Sequence, residues 1–215
     1  MNDSKEYPHS GYAILPFIDR PLSFSGSFLS AISNAYRNNQ RLDMWSHEKH
    51  IQSLSERNLT SFGRVFRAAV QGGVVIDLGC GIDDRTAWAI PLISGCFGAK
   101  KYIGVDRHRQ EKSEKREGLE IEYKDMEILH YLEQMSVNGK IVVVMSGLEF
   151  SDGVSADDRV QITQQFYNTL KERLPRGSYI AVGPSGTSPE LLDAPKRVFN
   201  HVASAKEGHT LFSTN

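Results

Sequence analysis

The chain has little cysteine, no long apolar run and almost no net charge, and each shortage excludes a class of protein. Two cysteines in 215 residues cannot build a disulfide framework, so we expect the reducing environment of the cytoplasm. A membrane-spanning helix needs about 18 or more consecutive apolar residues, which do not occur, and the polar start MNDSKEYPHS lacks the apolar core of a secretion signal. A net charge of -1 argues against general affinity for nucleic-acid backbones. We therefore expect neither a nucleic acid nor a membrane as partner.

What is present suits one α/β core with a modest additional segment, given 215 residues and 40% hydrophobic content. The most informative stretch of that core is Val74 to Thr86, VVIDLGCGIDDRT. An apolar run ends at Asp77 and breaks at Gly79-Cys80-Gly81, the pattern of a buried strand that enters a tight turn. Because glycine has no side chain, a ligand can approach the main chain closely there. The pattern predicts a nucleotide-like ligand.

The residues after the glycines indicate which nucleotide. A dinucleotide fingerprint needs a third glycine, so that a pyrophosphate can sit on the helix N-terminus. Here Asp84 stands at that position and Asp83 precedes it. Two carboxylates would repel a pyrophosphate but suit a cationic group. S-adenosylmethionine carries an ammonium and a sulfonium at that point and has no phosphate, so it is the expected cofactor.

The segment Asp77-Leu78-Gly79-Cys80-Gly81 resembles the first motif of the class I S-adenosylmethionine-dependent methyltransferases. The resemblance implies a doubly wound, mostly parallel Rossmann-like sheet in which the glycine loop runs under the methionine part of the cofactor. The extension to Arg85 also looks like the Gly-Leu-Asp-Thr-Arg segment of the leucine carboxyl methyltransferase branch. In that branch the arginine holds the cofactor carboxylate, which implies a bidentate clamp by Arg85.

Two further predicted strands follow in the order that the resemblance requires. Lys100–Asp106, KKYIGVD, ends in an acid that would accept hydrogen bonds from the ribose hydroxyls, and we place Arg107 beside the cofactor as well. Leu119–Met126, LEIEYKDM, ends in Asp125 and Met126. The resemblance implies that Asp125 bonds the adenine amine and that Met126 packs on the adenine ring.

The remaining predicted strands complete the resemblance, which covers about residues 70 to 185. Lys140–Met145 is a fourth strand, and the loop after it resembles the Ser-x-x-Leu-Glu-His loop of many small-molecule methyltransferases, with Phe150 in place of the histidine. A fifth strand, Gly177–Gly183, follows a helical stretch at Asp158–Leu174. The loop residues expected to contact the cofactor are Ser146, Gly147, Leu148 and Glu149.

Each of these assignments has a simpler alternative. Asp77 could be a strand-end cap, but an acid inside an apolar strand is costly unless it is paired, which favours a functional role. Asp106 also suits a dehydrogenase, since those enzymes place an acid at the end of the second strand. For Asp125, Arg85 and Glu149 the simpler roles are a solvated turn, a surface salt bridge and a solvated loop acid, respectively.

The segment RHRQEKSEKRE, which starts at Arg107, is the most basic cluster of the chain. Its interleaved glutamates predict a solvated helix after the second strand. An RNA-binding face is the sharper hypothesis, and the absence of interleaved aromatic residues disfavours it.

Residues 1–69 are predicted to form a helical N-terminal extension, and residues 70–215 the cofactor-binding domain of the same compact unit. Apolar spacing predicts helices over Ser27–Tyr36 and Trp45–Val70, while three prolines keep the first stretch irregular. The resemblance suggests that this extension is a substrate lid. The simpler possibility is that its helices merely cover the sheet. The side chains expected in the lid are Tyr12, Tyr36, Trp45 and His47.

The C-terminal part departs from the family pattern, which adds an antiparallel hairpin after the fifth strand. Ser188–Ala205 looks helical, and only Thr210–Ser213 has the composition of a short strand. We therefore expect a shortened C-terminal edge of the sheet.

Together these features predict a methyltransferase that acts on a small molecule at oxygen, with no metal site. The chain has no Asn/Asp-Pro-Pro-aromatic motif after the fourth strand, which disfavours methylation of adenine amino groups. No catalytic base can be named, because His47, His50, His201 and His209 are isolated histidines. The missing base and the short C-terminus favour a non-catalytic cofactor-binding protein as the main rival. The sequence also leaves open a methyltransferase of protein or RNA and, more distantly, a nicotinamide dehydrogenase.

Overall fold

The computed structural model describes residue 17 and residues 59–81, 89–145, 155–183, 189–205 and 208–215. These residues form the α/β fold that the sequence predicts, in which helices flank one sheet, and that sheet has eight strands. The helices are α1 (Ser61–Val70), α2 (Ala89–Cys96), α3 (Ile128–Gln134), α4 (Ala156–Arg173) and α5 (Pro189–Val198). The strands are β1 (Val74–Leu78), β2 (Lys101–Asp106), β3 (Lys112–Arg116), β4 (Leu119–Asp125), β5 (Ile141–Met145), β6 (Tyr179–Val182), β7 (Asn200–Ser204) and β8 (Thr210–Ser213).

The strand order across the sheet is β3-β4-β2-β1-β5-β6-β8-β7. The five strands β4, β2, β1, β5 and β6 are parallel, whereas β3, β8 and β7 pair antiparallel at the two edges. The chain moves outward from β1 to one side of the sheet and then returns to β5 on its other side. The crevice at the carboxyl ends of β1, β2 and β5 is therefore a topological switch point, where open α/β sheets bind ligands.

Apolar side chains cover both faces of the sheet, which explains why β5 is a continuous apolar run and why β1 is one apart from Asp77. On one face, α1 and α2 pack against alternate residues such as Val75, Tyr102 and Val142. On the other, α3, α4 and α5 pack against Ile76, Ile103 and the residues of β5 with the same orientation. The central strands consequently hold the positions at their carboxyl ends rigidly.

Helix α1 belongs to this core. It begins at Ser61, because the Thr60 hydroxyl accepts a hydrogen bond from the Gly63 N–H at 2.8 Å and so caps the helix. A continuous helix over Trp45–Val70 is therefore wrong at Leu59 and Thr60, and residues 45–58 lie outside the described part of the chain. The end of this stretch, α1, packs on the sheet.

The predicted helix after β2 is wrong, because its residues form the edge strand β3. Lys112, Glu114 and Arg116 project from one face of β3, where Glu114 bonds Lys112 at 3.2 Å and Arg116 at 3.3 Å. Glu117 and Gly118, both with positive φ, make the tight turn into β4. The charges thus pair along a strand rather than along a helix.

The prediction of a shortened C-terminal edge is also wrong. Helix α5 ends at Val198, and the rest of the predicted helical stretch contributes the strand β7. This strand pairs antiparallel with β8, which in turn pairs with β6, so both strands of the hairpin are present. Within the described residues, no helix is long and apolar enough to cross a membrane.

Candidate functional site

The glycine loop after β1 is fixed to the end of β2 by main-chain hydrogen bonds. Gly79 and Gly81 have φ values of 76° and 87°, a region that side chains disfavour. The N–H groups of Gly79 and Cys80 donate to the carbonyl of Val105 at 2.9 and 3.3 Å. The Gly81 N–H donates to Asp106 Oδ2 at 2.7 Å. The predicted glycine motif and the predicted acid of β2 therefore meet at the switch point.

Beneath this loop lies a buried carboxyl group. Asp77 is 4% exposed, and the Tyr102 hydroxyl donates a hydrogen bond to its Oδ2 at 2.8 Å. Burial raises the pKa of Asp77 to about 7, against the lowering effect of the Tyr102 bond and with a smaller raising effect from the charge of Asp106. The bond from Tyr102 gives the buried carboxyl group a hydrogen-bond partner. Its raised pKa means that it titrates near neutral pH.

A row of residues crosses three strands on this face of the sheet. Asp77 pairs with Gly104 in β2, and Gly104 pairs with Tyr123 in β4. A Cβ on Gly104 would lie 2.7 Å from the Tyr123 ring and 2.9 Å from Cys80 Sγ, so only glycine allows both to close over it. Burial and the nearby Asp77 raise the pKa of the Cys80 thiol, which keeps it protonated and unsuited to nucleophilic attack.

The ends of β2 and β4 are also joined. Asp125 is exposed, and its Oδ1 accepts a hydrogen bond from the His108 N–H at 2.8 Å. The Met126 N–H donates to the Asp106 carbonyl at 3.3 Å. Arg107 forms an exposed ion pair with Glu127 at 3.0 Å. The predicted residues of β2 and β4 thus lie side by side at one edge of the switch point.

The structure brings eight of the thirteen predicted cofactor residues to this edge and does not describe the other five. The eight are Asp77, Gly79, Cys80, Gly81, Asp106, Arg107, Asp125 and Met126. Outside the described residues lie Arg85, Ser146, Gly147, Leu148 and Glu149, as do the lid side chains Tyr12, Tyr36, Trp45 and His47.

Sequence reasoning missed Tyr102 and Gly104, which share a face with Asp77. The period of two along β2 places these two residues on one face, and a parallel neighbour of β1 would present that face beside Asp77. Missed as well was Tyr123, whose ring lies 5.8 Å from that of Tyr102 and 3.9 Å from the Arg109 guanidinium.

The charge of the site suits a ligand without phosphate. The charge of Asp106 is close enough to raise the pKa of Asp77, so an anionic ligand group beside Asp106 would be disfavoured in the same way. Hydroxyl or cationic groups would meet acceptors instead. Among the described residues, no group of three histidine, cysteine or acidic side chains could hold a metal ion.

No family model matches the chain, and no curated protein matches it in sequence. Among solved structures it resembles MnmC2 from Aquifex aeolicus, with 12% identity over 88% of this chain and 83% of that one and a TM-score of 0.45. It resembles an S-adenosyl-L-methionine methyl transferase from Silicibacter pomeroyi DSS-3 with 11% identity, 82% and 99% coverage and a TM-score of 0.42. For CmcI with Mg and SAM, the identity is 15%, the coverage 92% and 90%, and the TM-score 0.42.

Proposed function

We propose that the protein binds S-adenosylmethionine at the carboxyl ends of β1, β2 and β4 and transfers its methyl group to an oxygen atom of a small molecule. One observation carries this proposal. The glycine loop, with two residues at positive φ, closes directly on the acid that ends β2 through the 2.7 Å bond from Gly81 to Asp106. A loop that exposes main chain next to a ribose acceptor suits an adenosine ligand at a topological switch point.

The electrostatics favour S-adenosylmethionine over a dinucleotide. Asp106 puts an acid directly on the loop, and a pyrophosphate would add negative charge beside it. The adenosine and methionine parts of S-adenosylmethionine carry no phosphate. We further propose that the sheet is the doubly wound sheet of the class I methyltransferases, and that Arg85 and the loop Ser146–Glu149 complete the site.

The chain's own residues mainly orient the reactants. When bound, S-adenosylmethionine would supply a methyl group that an acceptor oxygen attacks in line, so that an O–C bond forms, the C–S bond breaks and S-adenosylhomocysteine leaves. Asp106 would accept hydrogen bonds from the ribose hydroxyls, and the main chain of Gly79–Gly81 would lie against the methionine part. Cys80 and Tyr123, which are both buried, close over Gly104 and would form the floor of the site. An oxygen that is already ionised, such as a carboxylate, needs no base from the chain.

The completed sheet edge bears on whether the protein is catalytic. An incomplete C-terminal edge would favour a non-catalytic binding protein, and the hairpin of β7 and β8 removes that observation. Both cysteines, Cys80 and Cys96, are free thiols, which supports the proposed cytoplasmic location. A methyl-transfer screen over carboxylates, phenols, alcohols, protein and RNA separates small-molecule methylation from methylation of a macromolecule and from binding without catalysis.

Gly81→Val should abolish cofactor binding, because a branched side chain would stand where the ligand meets the main chain and because φ at this position is positive. Thermal melts measure this, since a ligand bound only by the native state raises Tm. Gly72→Val is the matched control, because Gly72 has a φ of 72° and open space around it. The proposal is wrong if the wild type shows no shift with millimolar S-adenosylhomocysteine, or if NAD gives the larger shift.

Asp106→Ala should weaken the binding of S-adenosylhomocysteine by roughly 1.5 to 3 kcal/mol, the range for a hydrogen bond to a charged group. Asp106→Asn should lose less, because its amide oxygen can still accept the Gly81 N–H. Calorimetry gives both affinities, and Asp157→Ala, which removes an exposed carboxylate from the first turn of α4, controls for charge. Equal affinity of wild type and Asp106→Ala would remove Asp106 from the site.

A further inference from the structure

The turn that follows β2 is unusual because it must carry the chain past a whole strand. Strand β4 lies between β2 and β3, so residues 107–111 have to pass over the carboxyl end of β4 and span roughly 10 Å across two strand spacings. The turn therefore lies directly on the site, at the end where the proposed adenosine would bind.

A strained residue stands in this turn. His108 has a φ of 67°, in the left-handed region that residues other than glycine adopt at a cost. Its N–H donates to Asp125 Oδ1 at 2.8 Å, and that carboxylate closes β4 at the position paired with Asp106. The bond holds the strained backbone in place across the end of the sheet.

A second contact, between Arg109 and the Tyr123 ring in β4, also holds the 107–109 turn. The guanidinium of Arg109 lies 3.9 Å from the centre of the Tyr123 ring, and Arg109 is only 3% exposed. The turn is thus held by a buried cation–π contact on one side and by the Asp125 carboxylate on the other. Of the two, the carboxylate is the exposed one and can be altered without opening the core.

We propose that Asp125 is a positioning residue that holds the 107–109 turn as a wall of the cofactor site through His108, and that it does not read the adenine base. The proposal rests on the proposed function and changes the role that the resemblance gives to Asp125. Discrimination between adenine and other purines then comes from groups other than this carboxylate.

Calorimetry with two ligands tests the proposal. S-adenosylhomocysteine carries the 6-amino group, whereas S-inosylhomocysteine carries an oxygen there. Asp125→Ala should weaken both ligands by the same factor, about three- to tenfold, and leave the ratio of their affinities as in the wild type. Asp157→Ala should change neither affinity. A changed ratio in Asp125→Ala would overturn the proposal.

Asp125→Asn sharpens the comparison. The asparagine oxygen can accept the His108 N–H, which leaves the amide NH2 as the outer group. If that outer group faced the base, it would repel the 6-amino group and favour the inosine oxygen. We expect Asp125→Asn to bind both ligands with affinities, and a ratio of affinities, close to those of the wild type. A preference for S-inosylhomocysteine would contradict the positioning role of Asp125.

A rescue shows whether Asp125 acts through the turn. Glycine adopts positive φ without strain, so His108→Gly should restore most of the affinity that Asp125→Ala loses. Failure of this double variant to recover would contradict a role of Asp125 that acts through the turn.

A ligand-free readout separates this inference from the proposed function. The His108 amide should exchange its hydrogen slowly in the wild type and at least tenfold faster in Asp125→Ala, while amides of β5 keep their rates. Equal exchange in both proteins would refute the positioning role. Absence of any S-adenosylhomocysteine binding by the wild type, with the His108 amide still protected, would refute the proposed function alone.

Discussion

At the scale of single residues, the Asp77–Tyr102 pair gives the site an unusual dependence on pH. Most carboxyl groups have lowered pKa values in folded proteins and stabilise them above pH 4. Burial does the opposite for Asp77, because the native state holds its proton up to pH of about 7. The stability that this proton contributes is fully present below pH 3.8 and is lost as pH rises through about 7.

Asp77→Asn should therefore gain stability relative to the wild type as pH rises from 4.5 to 8. The difference between the ordinary pKa of 3.8 and the raised pKa of about 7 corresponds to a change in unfolding free energy of roughly 4 kcal/mol at most. Urea denaturation of both proteins at several pH values measures the difference in unfolding free energy. A difference that does not change with pH would show that Asp77 is already ionised at low pH.

Tyr102→Phe serves as the control for this prediction. It removes the hydrogen bond that lowers the pKa of Asp77, so the pH at which stability is lost should move upward. His209 acts in the opposite direction, because burial lowers its pKa to about 4 and stability is lost as pH falls below 6.5. Because Asp77→Asn removes the contribution of Asp77, its unfolding free energy should still fall as pH falls below 6.5, as the lowered pKa of His209 requires.

At the scale of elements, Phe17 packs against α1, and it is the one residue before Leu59 that the structure describes. The Phe17 ring lies 4.7 Å from that of Phe66 and 5.5 Å from that of Phe62. The Phe17 carbonyl accepts the Thr60 N–H at 3.2 Å, and a Cβ on Gly63 would overlap it at 1.9 Å. Phe17 is thus part of the core, although most residues before 59 lie outside the described chain.

Phe17→Ala should lower the unfolding free energy by about 3 to 5 kcal/mol, the cost of deleting a buried aromatic ring. Phe17→Leu should cost less, because it keeps an apolar group in the cluster. Deleting residues 1–40 should cost at least as much as Phe17→Ala because it removes Phe17, and deleting residues 1–16, which keeps Phe17, should cost less. Chemical denaturation of the four variants tests this.

The same deletions also test whether the N-terminal residues form a substrate lid. If the 1–16 deletion is stable but turns over an acceptor poorly while binding S-adenosylhomocysteine normally, those residues act on the acceptor side. If Phe17→Ala unfolds at wild-type denaturant concentrations, the anchoring role of this residue is wrong.

Among the strands, those buried on both faces can be predicted from the sequence, whereas those at the edges of the sheet cannot. Strands β1, β2 and β5 are predictable because burial on both faces demands apolar runs. Strands β3 and β7 are not, because each lies at an edge, has solvated faces and needs no apolar pattern. A signal was available in β3, where opposite charges alternate every second residue at Lys112, Glu114 and Arg116.

For the molecule as a whole, the sequence predicts where the site lies better than how it is held together. Asp77, Gly81 and Asp106 each carry a local pattern, since an acid or a glycine stands where an apolar strand ends. The bond from Tyr102 to Asp77 and the bond from His108 to Asp125 join residues 25 and 17 positions apart. Contacts of this kind depend on strand order and register, which no single stretch of sequence contains.

The two edge strands also determine how the molecule behaves among its own copies. An exposed edge can template the strands of a neighbouring chain. Antiparallel pairing of two β3 strands about Glu114 would place Lys112 opposite Arg116, and like charges in facing positions repel. In β7 the register shifts between His201 and Ala203, so the partly exposed Val202 interrupts the ladder that an incoming strand would need. For the strands that the structure describes, pairing with a further chain is opposed by charge at one edge and by geometry at the other, which should protect concentrated solutions of the folded protein against fibrous aggregation.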